Sequence, residues 1–152
     1  MITSPTYLKN YEAVMDAFGY WPSFHDGEVR SLLMDRNQIL FGKIANARIE
    51  LKIHGWEMTG EVNEKGYFKL IKHHIVHFEF SDVREVKLAD FNHQNAVFGL
   101  DFTELANDVA GNSSFKVTLN PANGLDGEFV AMSGRVVSVM PCDEKGNLVA
   151  EG

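Results

Sequence analysis

One short segment, residues 20–28, concentrates the side chains of this chain that are best suited to chemistry. It places His25 beside Asp26, with Glu28 two residues further on. A histidine next to a carboxylate can act as a general base that the carboxylate orients, and His25 with Glu28 could also contribute to a metal site. Adjacent side chains of a strand point to opposite faces, however, so the dipeptide alone does not predict a shared site.

The same segment also has a structural interpretation. Trp21 and Phe24 would fill the gap between a helix and a sheet, while His25 and Asp26 would hydrogen-bond to the backbone of a turn. In a further interpretation, these two side chains would stack on the ring of a bound sugar or base. The residues that the sequence singles out for binding are therefore Trp21, Phe24, His25, Asp26 and Glu28.

A second cluster of potential metal ligands consists of His73, His74 and His77. On a helix, His73 and His77 would share one face at metal-ligand spacing. On a strand they would lie roughly 13 Å apart, at about 3.3 Å per residue, which is too far for one ion. The β-branched Ile75 and Val76 between them favour a strand. The sequence therefore predicts no metal site here and leaves the role of the cluster open.

Other catalytic groups are sparse in the sequence. Cys142 is the only cysteine, so an intrachain disulfide is excluded, and it lies close to the C-terminus. The chain has no Gly-x-Ser-x-Gly nucleophile motif and no glycine-rich phosphate-binding loop. We therefore predict no complete catalytic set, no cofactor and a protein that is not an enzyme.

Negative charge is concentrated in the second half of the chain. Residues 1–76 hold nine basic and nine acidic residues, whereas 77–152 hold five basic and twelve acidic residues and account for the net charge of −7. An acidic surface repels nucleic acid and attracts basic proteins. Asp101, Glu104 and Asp108 form the candidate acidic binding face. The alternative is that these charges serve only solubility.

The length and hydropathy of the chain indicate one domain, residues 1–152, in aqueous surroundings. The N-terminus lacks the basic and apolar stretches of a secretory signal, and no apolar run approaches the ~18 residues of a membrane-spanning helix. We therefore expect a cytoplasmic protein without a membrane or nucleic-acid partner. The sequence leaves open whether an exposed edge strand pairs two copies into a homodimer.

One helix is predicted at the N-terminus, over 5–18. Ser4 would cap it, Pro5 would occupy its first position, and Gly19 would end it. Apolar residues recur at three- and four-residue spacing between them, which gives the helix one apolar face.

Most of the remaining chain alternates apolar and polar residues, as strands do. The clearest case is Ala47, Ile49, Leu51 and Ile53. Strands are predicted over 28–34, 38–41, 47–54, 74–80, 84–88, 96–102, 115–119 and 128–140, with a short second helix over 103–109.

These elements predict an α+β fold. The N-terminal helix would pack on a mainly antiparallel, multi-stranded sheet, which could fold over into a sandwich. Short connections favour antiparallel pairing, because a parallel crossover needs a dozen or more residues. The β-rich body would extend over 28–141, followed by a loose tail over 143–152.

The run Trp21-Pro22-Ser23-Phe24-His25-Asp26-Gly27-Glu28-Val29 resembles the signature of the bacterial family known as immunity protein 50. That signature reads approximately Trp-Pro-x-Phe-His-Asp-Ala-Glu-Val after a short helix, and Gly27 here replaces its alanine. Later strand patterns are also similar to those of the family but are generic. The resemblance implies a protein that neutralises a partner toxin by binding it.

The resemblance thus implies a non-enzymatic immunity protein with a cognate toxin domain as its partner. It implies no established catalytic role for the motif residues. The alternative is a small metal-dependent hydrolase, or a small-ligand-binding module, that uses the segment from Trp21 to Glu28.

Overall fold

The computed structural model describes residues 3–36 and 47–149. It contains the helix α1, Glu12–Phe18, and the strands β1, Glu28–Arg36, β2, Ala47–Val62, β3, Phe68–Ser81, β4, Arg84–Ala89, β5, Ala96–Leu105, β6, Ser114–Asn123, β7, Asp126–Ala131, and β8, Ser133–Pro141. Within these described ranges, no helix has the length and apolar character needed to cross a membrane.

The eight strands form one antiparallel sheet in the order β4-β7-β6-β5-β1-β2-β3-β8. Among the described strands, β4 and β8 are the two edges, so the sheet that these strands form is open. The predicted combination of a helix with a mainly antiparallel sheet is therefore confirmed, although the helix is small. The more specific expectation of a sandwich stays a prediction.

The core combines side chains from strands that are far apart in the sheet order. The two halves of that order, β4-β7-β6-β5 and β1-β2-β3-β8, meet at β1 and β5, which share a single register pair, Glu28 with Ala96. Across the core, the ring of Phe80 lies 6.1 Å from that of Phe115 and 5.2 Å from that of Phe129. Side chains of β3 thus contact those of β6 and β7, which buries the apolar positions of the alternating strands.

The alternation of residues predicted most of the strands correctly. Ile49, Leu51 and Ile53 are all buried, as the period of two in β2 requires. The strand predicted over 38–41 lies outside the described residues.

The run 128–140, predicted as one strand, forms two. Ala131 pairs with Phe115 of β6, whereas Ser133 pairs with Ser81 of β3. The chain changes its strand partner at Met132, and a hydrophobicity pattern carries no information about partners.

The second helix predicted over 103–109 is absent, and that prediction is wrong. Strand β5 continues through Leu105, where it pairs with Ser114. A turn follows, in which the Asp108 carboxylate accepts the backbone N–H of Asn112 at 2.8 Å. Hydrogen bonds from Asn112 also lower the pKa of Asp108 below its usual value.

The N-terminal helix begins at Glu12, seven residues later than predicted. Lys9 is held by β8 instead: its N–H donates to the Gly134 carbonyl, and its carbonyl accepts the N–H of Val136. Asn10 then turns the chain with φ of 63°. The predicted end is correct, because Gly19 adopts the left-handed conformation with φ of 85°.

The described part of the tail, residues 143–149, is folded rather than loose. The Asp143 carboxylate accepts the backbone N–H groups of Lys145 and Asn147 at 2.9 and 2.8 Å. Arg30 of β1 donates to the Lys145 carbonyl at 2.9 Å. This C-terminal turn therefore lies against β1.

Candidate functional site

The two large aromatic residues of the motif segment belong to the core. Trp21 and Phe24 are buried, with 3% and 2% of their surfaces exposed. Phe24 packs edge-on against Phe18 of α1 at 6.2 Å, and Trp21 packs against Phe102 of β5 at 5.7 Å. This placement matches the structural interpretation of the two rings and leaves neither of them accessible for stacking on a ligand.

His25 and Asp26 lie at the tip of the turn between these rings and β1. Their side chains are 52% and 46% exposed, and His25 Nε2 lies 3.4 Å from Asp26 Oδ2. The expectation that the two side chains point apart is wrong, because the segment is a turn rather than a strand. Phe24 and Asp26 both have positive φ, at 60° and 63°, which is a strained conformation for an aromatic residue.

A contact of the other ring nitrogen, Nδ1, sets the orientation of the His25 ring. His25 Nδ1 lies 3.0 Å from the carbonyl oxygen of Phe98, and the two rings stack at 5.9 Å. Because a carbonyl only accepts, Nδ1 must carry the proton. Nε2 then faces the Asp26 carboxylate.

Glu28 is not part of this exposed pair. Its carboxylate accepts the backbone N–H of Asn95 at 2.7 Å. The buried side-chain carbonyl of Asn95 in turn accepts the N–H groups of Asn92 and Leu125 at 3.0 and 3.1 Å. Glu28 thus helps to hold three connections together and is a structural residue at the start of β1.

The acidic residues predicted as a face are exposed but do not share one. Asp101 and Glu104 are three positions apart on β5, and an odd spacing on a regular strand places them on opposite faces. Glu104 is paired with Phe115 of the core face, and its charge contributes to raising the pKa of Tyr7 to about 12, after the larger effect of burial. Asp108 lies beyond the end of the strand.

The three clustered histidines of β3 have separate surroundings. His74 packs against Phe18 of α1 at 5.3 Å, and His77 lies 2.9 Å from a Glu50 carboxylate oxygen of β2. His73 contacts neither of these groups and faces another histidine. Within residues 3–36 and 47–149, no three His, Cys, Asp or Glu side chains are placed to hold a metal ion.

The partner of His73 is His54, which sequence reasoning did not single out. His73 Nδ1 lies 3.0 Å from His54 Nε2, and Trp56 packs edge-on against His54 at 4.9 Å. Only 2% of His54 is exposed. Burial, followed by His73 and Arg30, lowers the pKa of His54 from 6.5 to about 4, against an opposing effect of Asp143.

No sequence signal could have identified this pair. The alternation of apolar and polar residues assigns His54 to the solvent-exposed face of β2. The burial of His54 depends on the C-terminal turn. Gly146 of that turn approaches His54 so closely that a side chain at this position would lie 3.3 Å from His54 Nδ1.

An open groove of about 620 Å³ borders the histidine pair. Its lining combines aromatic rings with charged side chains: Trp56, Asn63, Tyr67, Phe68, Lys69, Leu70, His73, Glu144 and Lys145. The volume is within the range of ligand sites, about 300–1,000 Å³. The groove lies between the outer part of the β2–β3 hairpin and the C-terminal turn.

Comparison of the chain with protein-family models, with curated proteins and with solved structures found no match in any of the three.

Proposed function

We propose that this protein is a non-enzymatic immunity protein, which binds a cognate bacterial toxin domain and neutralises it. The observation that carries the proposal is the nine-residue run from Trp21 to Val29, which resembles the signature of such a family. A protein of this kind needs a surface that complements its partner and no reaction of its own.

The positions of the motif residues are consistent with this role. Trp21 and Phe24 fix the turn to the core, and Glu28 fixes its end to Asn95. A signature made largely of such residues would indicate a shared fold. The surrounding surfaces could then differ among proteins that bind different partners.

Co-expression in bacterial cells tests the proposal. Each candidate toxin domain from the source organism is produced with and without this protein, and survival is counted. We expect one toxin domain to be neutralised and to form a one-to-one complex in size-exclusion chromatography with light scattering. Equal killing in the presence and absence of the protein, for every toxin domain, would contradict the proposal.

A small hydrolase is the second candidate. It is favoured by the contact between His25 and Asp26 in an exposed turn, since strained backbone is often found at functional sites. It predicts turnover of a substrate panel that is lost in His25→Ala, with no change in melting temperature. His93→Ala, at another exposed histidine, is the matched control. Unchanged turnover in His25→Ala would exclude this use of the turn.

A further inference from the structure

The outer part of the β2–β3 hairpin, residues 57–71, extends beyond its neighbours in the sheet. Pairing of β1 with β2 ends at His54, and pairing of β8 with β3 ends at His74. Within the described part of the chain, residues 57–71 therefore pair only with one another. We call this segment the distal ribbon. Two-stranded ribbons are only marginally stable in water without packing on one face.

The distal ribbon exposes large apolar side chains. Tyr67 and Phe68 are 70% and 54% exposed, and Met58 and Val62 are exposed as well. Met58 is the cross-strand partner of Leu70, and Val62 is that of Phe68. Directly opposed residues lie on the same face of a two-stranded ribbon. Because Leu70 and Phe68 line the groove, the apolar surface of the groove continues to Met58 and Val62. Exposed aromatic side chains of this kind often contribute most of the energy of a protein interface.

The groove has a different charge from the rest of the molecule. Its lining holds Lys69 and Lys145 against one acidic residue, Glu144, whereas the whole chain has a net charge of −7. Within the described ranges, neither lysine forms an ion pair. A carboxylate of a partner would find complementary charge at Lys69 and Lys145 in the groove. The distal ribbon outside the groove, in contrast, carries the acidic residues Glu57, Glu61 and Glu64.

We propose that the distal ribbon is the surface that docks the partner protein, and that its groove takes a partner segment with an aromatic side chain beside a carboxylate. The aromatic ring would lie against Tyr67 and Phe68, and the carboxylate would pair with Lys69 or Lys145. The inference rests on the proposed function, because it names the surface through which the toxin domain is bound.

Panning of a random phage-displayed peptide library on the full-length protein tests the groove without a known partner. We expect enriched peptides in which Trp, Tyr or Phe lies next to Asp or Glu. Their affinity should fall about tenfold or more in the double variant Tyr67→Ser/Lys69→Glu. The matched control, Val86→Ser/Lys87→Glu, changes exposed residues of the edge strand β4 and should bind as the wild type does.

Several results would overturn the inference: no enriched peptide family, unchanged binding in the ribbon variant, or equal loss in both double variants. Circular dichroism and the melting temperature establish that each variant is folded. If the ribbon variant does not fold, the single variant Tyr67→Ser replaces it, and its loss of affinity for the enriched peptides is measured in the same way.

The survival assay separates the two proposals. If the wild type protects cells and the folded ribbon variant does not, the docking surface is supported. If both protect equally, the distal ribbon is not the docking surface, although the immunity role stands. If the wild type protects against no toxin domain, the proposed function fails, and peptide binding alone decides whether the groove recognises the stated chemistry.

Discussion

At the scale of single residues, the pair of the buried His54 and the half-buried His73 is the most unusual feature of the molecule. His54 is held in its neutral form by burial and by the nearby His73 and Arg30. Burial makes the charged form of His54 costly, so protonation of His54 destabilises the folded protein. The pKa of His54 therefore couples the stability of the molecule to pH.

We expect the free energy of unfolding to fall as pH decreases from 6.5 to about 4, the unfolded and folded pKa values of His54. In that interval the unfolded chain binds a proton at His54 and the folded protein does not, so acidification favours unfolding. Urea unfolding at pH 7 and pH 4.5 measures the change.

His54→Gln retains hydrogen bonding toward His73 but cannot titrate, so this variant should lose less stability on acidification than the wild type. His93→Gln, at an exposed histidine, is the control and should follow the wild type. An identical pH dependence in His54→Gln and the wild type would show that His54 does not contribute.

At the scale of elements, the motif turn and Asn95 determine how β1 meets β5. Asn95 is 2% exposed, and its side chain also donates to the Asn92 carbonyl at 2.8 Å. The side-chain amide of Asn95 thus joins the β4–β5 connection to the β6–β7 turn, and its backbone N–H donates to the Glu28 carboxylate at the start of β1. Buried polar groups of this kind are expensive to leave without partners.

Asn95→Ala should lower the free energy of unfolding by ~1–3 kcal/mol, because the N–H groups of Asn92 and of the buried Leu125 lose their acceptor. Asn123→Ala removes an exposed amide, bonded to Gln94 at 2.9 Å, and should change the stability by less than about 0.5 kcal/mol. Urea titrations compare the two variants. Equal effects would mean that the Asn95 network is not specifically stabilising.

At the scale of the whole molecule, Gly134 lies where three distant parts of the chain meet. A Cβ atom there would lie 2.8 Å from Leu8, 2.9 Å from Phe80 and 3.2 Å from Phe115. These residues belong to the N-terminal segment, β3 and β6. The absence of a side chain at Gly134 therefore permits close packing of the N-terminal segment against β3 and β6.

Gly134→Ala should destabilise the protein by ~1–3 kcal/mol, since the added methyl group has no free space in the core. Gly60→Ala is the matched control, because a Cβ atom there meets nothing within 4 Å. Thermal unfolding of both variants tests the prediction. A melting temperature of Gly134→Ala equal to that of Gly60→Ala would contradict it.

Local patterns in the sequence were sufficient for most of the strands and for the helix end. Alternation in β2 identified its buried face, and Gly19 marked the end of α1, because strand period and glycine conformation are properties of neighbouring residues. The motif segment was also recognisable as a group, although the turn geometry that separates buried Trp21 from exposed His25 was not.

The tertiary structure decided every feature that depends on residues far apart in the chain. The helix begins late because Lys9 bonds to Gly134 and Val136 of β8. His54 meets His73 because β2 and β3 pair in a register that includes irregularities. Local patterns specify which residues prefer burial, whereas strand partners and register are fixed only when the whole core packs, and these determine which side chains meet.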